Sequence, residues 1–209
     1  LALREHLRRP GATKCKATIF PGIELRMVSP GSFRLNMHVL LNPELSDDKL
    51  NAFKTQLKLT MGGKPLTDGY LVEWARQNLS DERLSELGMT RATLNSDEAA
   101  ALQAGSKCAE VTAESVGEAL RTFGERDAIL FVPFDTSDGV NKIRFREHYS
   151  FPREVLAMEA VFEVAKQATR DAFNGVKTAD NDSFFNEFQA AIKHPKLAVR
   201  GSDAHRIAD

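Results

Sequence analysis

Short segments of strand character alternate along this chain with longer segments of helical periodicity. Residues 34–42 place apolar side chains on one parity and polar side chains on the other, as a half-buried strand does. Residues 16–28 show a similar alternation, interrupted at Pro21 and Gly22, and residues 128–134 form an apolar run that predicts a buried strand. Because strands alternate with helices, the sequence predicts an α/β fold with a mainly parallel sheet or barrel.

Capping residues mark the starts of several predicted helices. Ser46 precedes a helical pattern that runs to Gly62-Gly63, and Thr112 precedes one that runs to about Phe123. Further along the chain the periodicity predicts one long helix, another helix and a short strand, over residues 152–173, 182–194 and 197–199.

Residues 63–110 contain several helix starts but no alternating apolar run. We therefore expect these residues to form a helical insertion within a single larger domain that includes residues 1–209. The chain begins at Leu1 without methionine and ends at Asp209 soon after a turn, and we interpret it as a fragment.

The composition excludes several classes of protein. The net charge of -1 gives no global attraction to nucleic acid or to an acidic membrane surface. The two cysteines, Cys15 and Cys108, lie far apart and indicate a reducing, cytoplasmic location without a disulfide framework. No stretch approaches the roughly 20 apolar residues of a membrane span. No phosphate-cradling glycine loop occurs, so no ATPase site is expected in this chain.

A candidate metal-binding turn follows the last predicted strand. Asp203 and His205 offer a carboxylate oxygen and an imidazole nitrogen from one tight turn, and this donor pair suits Zn, Mn or Fe. The alternative is that Asp203 caps the next helix and His205 lies in its first turn.

Two further candidate ligands lie within predicted strands. Glu24 is surrounded by apolar residues, so its carboxylate needs a metal or an arginine as partner if it points inward. The alternative is that Glu24 is exposed or paired with Arg26 or Arg34. His38 lies on the polar face of its strand, where a structural, hydrogen-bonded histidine is the alternative to a metal ligand.

These motifs occur in an order that resembles the PHP (polymerase and histidinol phosphatase) superfamily. Pro21-Gly22-Ile23-Glu24 is similar to the Gly-x-Glu strand motif of that superfamily, and His38 is similar to its next histidine ligand. Gly201-Ser202-Asp203-Ala204-His205 matches its terminal Asp-x-His motif. The resemblance covers both ends of the chain and leaves the middle less constrained.

The resemblance implies a distorted (β/α)7 barrel, incomplete in this chain, whose strand ends hold two or three divalent metal ions (Mn, Zn or Fe). It implies a metal-dependent phosphoesterase or nuclease that uses a metal-activated water on phosphomonoesters or phosphodiesters, including nucleotides and nucleic acid. Glu24, His38, Asp203 and His205 would be metal ligands, and Asp203 and His205 would also be catalytic. The chain looks most like PHP regions joined to an ATPase domain in bacterial phage-defence proteins, which implies an ATPase partner domain. A homo-oligomer is a possible further partner, and the sequence does not define the oligomeric state.

Two departures from the family pattern keep an alternative open. The opening His-x-His strand is absent, since the isolated His6 is expected on a surface helix. The later strand ends in Asp135, where the family commonly has histidine, and Asp135 is a further candidate ligand for a hard cation. A catalytically inactive structural or regulatory module attached to an ATPase therefore remains the alternative, and a related metal hydrolase acting on C–N bonds is a third.

Other polar residues are assigned simpler roles. His148 and His194 are expected to be structural, the latter at a helix end before Pro195. The basic stretch of Lys142, Arg144 and Arg146 is interpreted as a solvated strand face, with contact to a substrate phosphate as the alternative.

Overall fold

One mixed sheet organises the fold. The structure is a computed structural model that describes residues 20–31, 33, 35–60, 62–124, 127–137, 139–144 and 147–200. The five strands lie side by side in chain order: β1 Gly22–Met27, β2 Leu35–Leu41, β3 Ala128–Pro133, β4 Val161–Glu163 and β5 Ala198–Val199. β1, β2 and β3 pair antiparallel, whereas β3, β4 and β5 pair parallel.

The α/β class is therefore confirmed, but the prediction of a mainly parallel sheet is wrong for the first three strands. The connection from Met27 to Leu35 is short. A parallel crossover needs a dozen or more residues, so this connection can join only antiparallel neighbours. A closed barrel stays a prediction.

Helices surround one face of this sheet and extend beyond it. Nine α-helices lie within the described residues: α1 Asp47–Gln56, α2 Asp68–Asn78, α3 Asp81–Glu86, α4 Arg91–Ser96, α5 Glu98–Cys108, α6 Ala113–Leu120, α7 Ser150–Ala157, α8 Gln167–Phe173 and α9 Asp182–Ile192. The predicted caps of α1 and α6 are seen as hydrogen bonds. The Ser46 hydroxyl accepts from the Lys49 amide at 3.3 Å, and the Thr112 hydroxyl accepts from the Ser115 amide at 3.1 Å.

The single long helix predicted over residues 152–173 is wrong. The segment divides into α7, β4 and α8. Val161, Phe162 and Val164 have the β-branched and aromatic side chains that favour strands. The Phe162 amide donates to the Leu197 carbonyl at 2.9 Å, and the Phe134 amide donates to the Glu163 carbonyl at 2.9 Å, so pairing on both sides fixes β4 as a central strand.

The two faces of the sheet differ in what covers them. One face carries buried apolar side chains that pack against α1, α6, α7, α8 and α9; they include Leu25, Met27, Met37, Val39, Leu130, Val132 and Phe162. Because strand side chains alternate, Glu24, His38, Phe131 and Glu163 point to the opposite face, here called the site face. Ile129, on this face, is 50% exposed.

Residues 63–110 contain the four helices α2 to α5. Their apolar side chains form a second core cluster that includes Val72, Ala75, Leu84, Leu94 and Ala101. The only strand-like pairing in this segment of the described chain is the isolated bridge from Pro65 to Lys58. The interpretation of these helices as an insertion in a larger barrel stays a prediction.

Gly105 allows α5 to lie close against α2. A Cβ atom at Gly105 would lie 2.5 Å from the Leu71 carbonyl oxygen, whereas a Cβ atom at Gly117 in α6 would meet nothing within 4 Å. We expect Gly105→Ala to lower the free energy of unfolding by about 1–3 kcal/mol because the Leu71 backbone cannot move aside freely. The control Gly117→Ala should raise it by about 0.5–1 kcal/mol through helix propensity. Urea unfolding of both variants checks this, and changes of the same sign would contradict the close contact.

Candidate metal centre

A cavity of about 570 Å³ opens on the site face. All five strands contribute to its lining. The polar lining residues are Glu24, Asn36, His38, Thr136, Ser137 and Glu163. The apolar lining residues are Leu40, Phe131, Pro133 and Val199. The cavity therefore combines carboxylates, an imidazole and hydroxyls with an apolar floor.

Glu24 and His38, two of the predicted ligands, are direct neighbours across β1 and β2. Their Cα atoms are register partners in the antiparallel pair. Such partners lie about 4.5–5.5 Å apart with side chains on the same face, so both can reach one cation. Glu24 is exposed and His38 is half-buried. The structure thus brings together two of the residues that the sequence singles out separately.

Asn36 holds the Glu24 carboxylate in place. Its side chain is 4% exposed, and its Nδ2 donates a hydrogen bond to Glu24 Oε1 at 2.6 Å. A partner that orients a ligating carboxylate strengthens metal binding. Arg26, one of the alternative partners predicted for Glu24, forms no ion pair with it among the described residues, and Arg34 lies outside them. Sequence analysis missed Asn36, although its parity with His38 places it on the same face.

Glu163 is a second site carboxylate that sequence analysis missed. It is the last residue of β4, is half-buried, and lines the cavity from the far side of β3. β2 and β4 are separated by about 10 Å, so Glu163 faces the Glu24–His38 pair across the cavity. Glu163 does not complete a three-ligand group with this pair: among the described residues, no three side chains of the His, Cys, Asp or Glu type are close enough to hold a metal ion. Val161 and Phe162 have side chains that favour a strand, but a strand of three residues is too short for the alternation that would have identified Glu163.

Asp135 has a structural role at the edge of this cavity. Its carboxylate accepts hydrogen bonds from the Ala165 amide and, at 3.3 Å, from the Lys166 amide. These bonds tie the end of β3 to the loop between β4 and α8. Asp135 does not line the cavity, whereas the next two residues do. Its role as a metal ligand stays a prediction.

The remaining predicted ligands, Asp203 and His205, lie outside the described residues, as do His6 and Arg146. Val199, the last residue of β5, lines the cavity and precedes Asp203 by four positions. The strand that leads to the Asp-x-His turn thus ends at the cavity wall. The convergence of that turn on Glu24 and His38 stays a prediction.

The cavity lining does not include the described members of the remaining polar set, which are His148, His194, Lys142 and Arg144. His194 Nε2 is 3.3 Å from Glu159 Oε2, and His148 is half-buried. Arg144 donates to Glu147 Oε1 at 2.8 Å, and this hydrogen bond lowers the pKa of the Glu147 carboxyl. Lys142 and Arg144 are exposed, as expected, but the interpretation as a strand face is wrong, because Val140–Lys142 is a 3-10 helix and Arg144 lies outside any strand.

Comparisons with known proteins give no match: no protein-family model, no curated protein and no solved structure matches the chain. In the part of the chain that the structure describes, no helix combines the length and apolar character needed to cross a membrane. Function is therefore inferred from the residues of the cavity.

Proposed function

We propose that the chain supplies one wall of the metal centre of a PHP-type, metal-dependent phosphoesterase. The observation that carries the proposal is the Glu24–His38 pair. The two residues lie directly opposite each other on neighbouring strands and line a cavity of about 570 Å³. One carboxylate and one imidazole are donors that Zn, Mn and Fe accept. Asn36, which fixes the carboxylate, adds the supporting hydrogen bond that metal ligands usually have.

In this proposal Asp203 and His205 complete the ligand set. β3, β4 and β5 are parallel, so their carboxyl ends lie at one edge of the sheet, where Pro133, Glu163 and Val199 line the cavity. Active sites of α/β barrels are built at this edge. Bound cations would polarise the phosphoryl oxygens and lower the pKa of a bound water.

The volume and the lining residues of the cavity support a phosphate ester as substrate. Its volume lies within the range of roughly 300–1,000 Å³ that is common for small-molecule sites. Thr136 and Ser137 can donate hydroxyl hydrogen bonds to phosphoryl oxygens, and Leu40 and Phe131 provide an apolar surface for the organic part of the ester. The proposed reaction is hydrolysis of a phosphomonoester or phosphodiester, including nucleotides and nucleic acid.

Metal content tests the proposed centre directly. We expect the purified full-length protein to retain two or three Mn, Zn or Fe ions per chain, measured by inductively coupled plasma mass spectrometry. Glu24→Ala and His38→Ala should remove most of this metal, whereas Asn36→Ala should weaken metal affinity roughly 10- to 100-fold. Glu44→Ala and His148→Ala, which change residues outside the cavity, are the matched controls. Equal metal content in Glu24→Ala and Glu44→Ala would contradict the proposal.

The position of Asp135 favours a second candidate function. Both of its carboxylate oxygens accept hydrogen bonds from backbone amides, so the residue that stands where the family commonly has a histidine ligand already has partners within the fold. A module that has lost catalysis and supports an attached ATPase domain would retain this fold. Measurable hydrolysis of bis(p-nitrophenyl) phosphate with added Mn would exclude that alternative. Bound metal without hydrolysis of any phosphate ester would favour it.

A further inference from the structure

A second cavity, of about 390 Å³, adjoins the candidate metal centre. It shares Glu24 and Asn36 with the site cavity, so the two cavities adjoin at these side chains. Its remaining walls come from β1, from the α3 region and from α5; they are Arg26, Arg83, Leu87, Ser106 and Lys107. We call this space the basic cavity.

Three cationic side chains meet at the basic cavity. Arg26 and Lys107 form no ion pair with any carboxylate in the described ranges of the chain. Arg83 pairs with Glu86 and its Nε donates to Cys108 Sγ at 3.4 Å, which holds the guanidinium at the wall. The acidic member of the lining is Glu24, the proposed metal ligand. The cavity therefore offers positive charge to a ligand that also reaches the metal centre.

The arrangement along β1 sets the spacing between the two cavities. Glu24 and Arg26 are two residues apart on the same face of the strand, so their Cα atoms are separated by roughly 7 Å. A phosphate ester held near Glu24 and a second phosphate held by Arg26 would thus be about one nucleotide unit apart. Lysine and arginine neutralise phosphates through charge-assisted hydrogen bonds.

We propose that the basic cavity binds the phosphate next to the scissile phosphate of a single-stranded polynucleotide. The inference rests on the proposed function, because it assigns the scissile phosphate to the metal centre. Ser106 and Lys107 are exposed, so a chain can leave the basic cavity into solvent. Phe131, on the floor of the site cavity, offers an aromatic face for a base. A nucleoside diphosphate would not need this open end.

Binding of a fluorescein-labelled eight-nucleotide oligothymidylate, followed by fluorescence anisotropy in EDTA, tests the inference without hydrolysis. We expect the double variant Arg26→Gln, Lys107→Gln to bind at least about tenfold more weakly than the unaltered protein at low salt. Because two phosphate contacts are lost, the slope of log affinity against log salt should fall by about 1.4 in magnitude. Arg170→Gln, Lys49→Gln makes the same charge change at exposed positions away from both cavities and should alter neither quantity.

Circular dichroism and thermal unfolding show whether each variant is folded. If Arg26→Gln destabilises β1, Lys107→Gln alone, at the exposed end of α5, should still lower the salt slope by about 0.7. Equal weakening by both double variants would overturn the inference, since it would show only a general effect of charge. Competition by thymidine diphosphate as strong as that of unlabelled oligonucleotide would overturn the assignment to a polynucleotide.

The same experiments separate this inference from the proposed function. Hydrolysis of bis(p-nitrophenyl) phosphate by a protein whose oligonucleotide binding is independent of Arg26 and Lys107 would overturn the basic cavity alone. Binding that depends on these residues, in a protein that retains no metal and hydrolyses no phosphodiester in Mn, would overturn the phosphoesterase proposal and would leave the basic cavity as a polynucleotide-binding site without a scissile phosphate beside it.

Discussion

Asp203→Ala is expected to abolish phosphoester hydrolysis by the full-length protein. In the proposed centre Asp203 helps to hold the cation that lowers the pKa of the reacting water, so its loss removes the nucleophile and not merely some substrate affinity. Metal-assisted charge stabilisation contributes several kcal/mol, which corresponds to a loss on the order of 10³-fold or more. The loss should appear chiefly in kcat, measured on bis(p-nitrophenyl) phosphate at saturating Mn.

Three controls make this result interpretable. His205→Ala should reproduce the loss, because it removes the other ligand of the same turn. Asp180→Ala, an exposed aspartate outside the cavity lining, should leave kcat unchanged. Thermal unfolding should show that Asp203→Ala is folded. Any loss of stability should be no larger than the loss caused by removing the metal from the unaltered protein. Normal turnover by Asp203→Ala would mean that the turn is a helix cap and that the central assignment is wrong.

Period-two alternation made β2 the most predictable element of the fold. Met37 and Val39 are fully buried while His38 between them faces the site cavity, as their parity predicts. β4 escaped prediction because three residues are too few to establish a period. This segment is a strand because it forms hydrogen bonds with Leu197 and Phe134, which are both distant in the sequence. The local sequence pattern does not indicate which distant segments pair with it.

The candidate site was predictable residue by residue but not as an arrangement. Parity placed Glu24 and His38 on polar faces, yet their direct opposition depends on the register of β1 and β2, which the intervening connection sets. Glu163 was hidden because its strand was interpreted as helix. The role of Asp135 depends on the Ala165 amide, which lies 30 residues later along the chain, and no local signal reports that contact.

A cluster of aromatic rings holds the carboxyl ends of β3 and β4 against α8 and α9. Phe173 stacks on Phe162 with ring centroids 4.5 Å apart, and it meets Phe134 and Phe188 edge-on at 5.2 and 4.7 Å. Phe162 directly precedes Glu163, and Phe134 directly precedes Asp135. The cluster therefore fixes the backbone that carries the edge of the site cavity.

Phe173→Ala is expected to lower the free energy of unfolding by about 3–5 kcal/mol, because it removes a fully buried ring and leaves a cavity among three others. This is a large part of the roughly 5–15 kcal/mol that stabilises an ordinary domain. Phe20→Ala makes the same change at a side chain that is 54% exposed, and should shift stability by no more than about 0.5 kcal/mol. Urea denaturation followed by circular dichroism measures both. A cost for Phe173→Ala no larger than that for Phe20→Ala would show that the aromatic cluster is not packed as described, and would remove the support that holds β4 and Glu163 at the cavity.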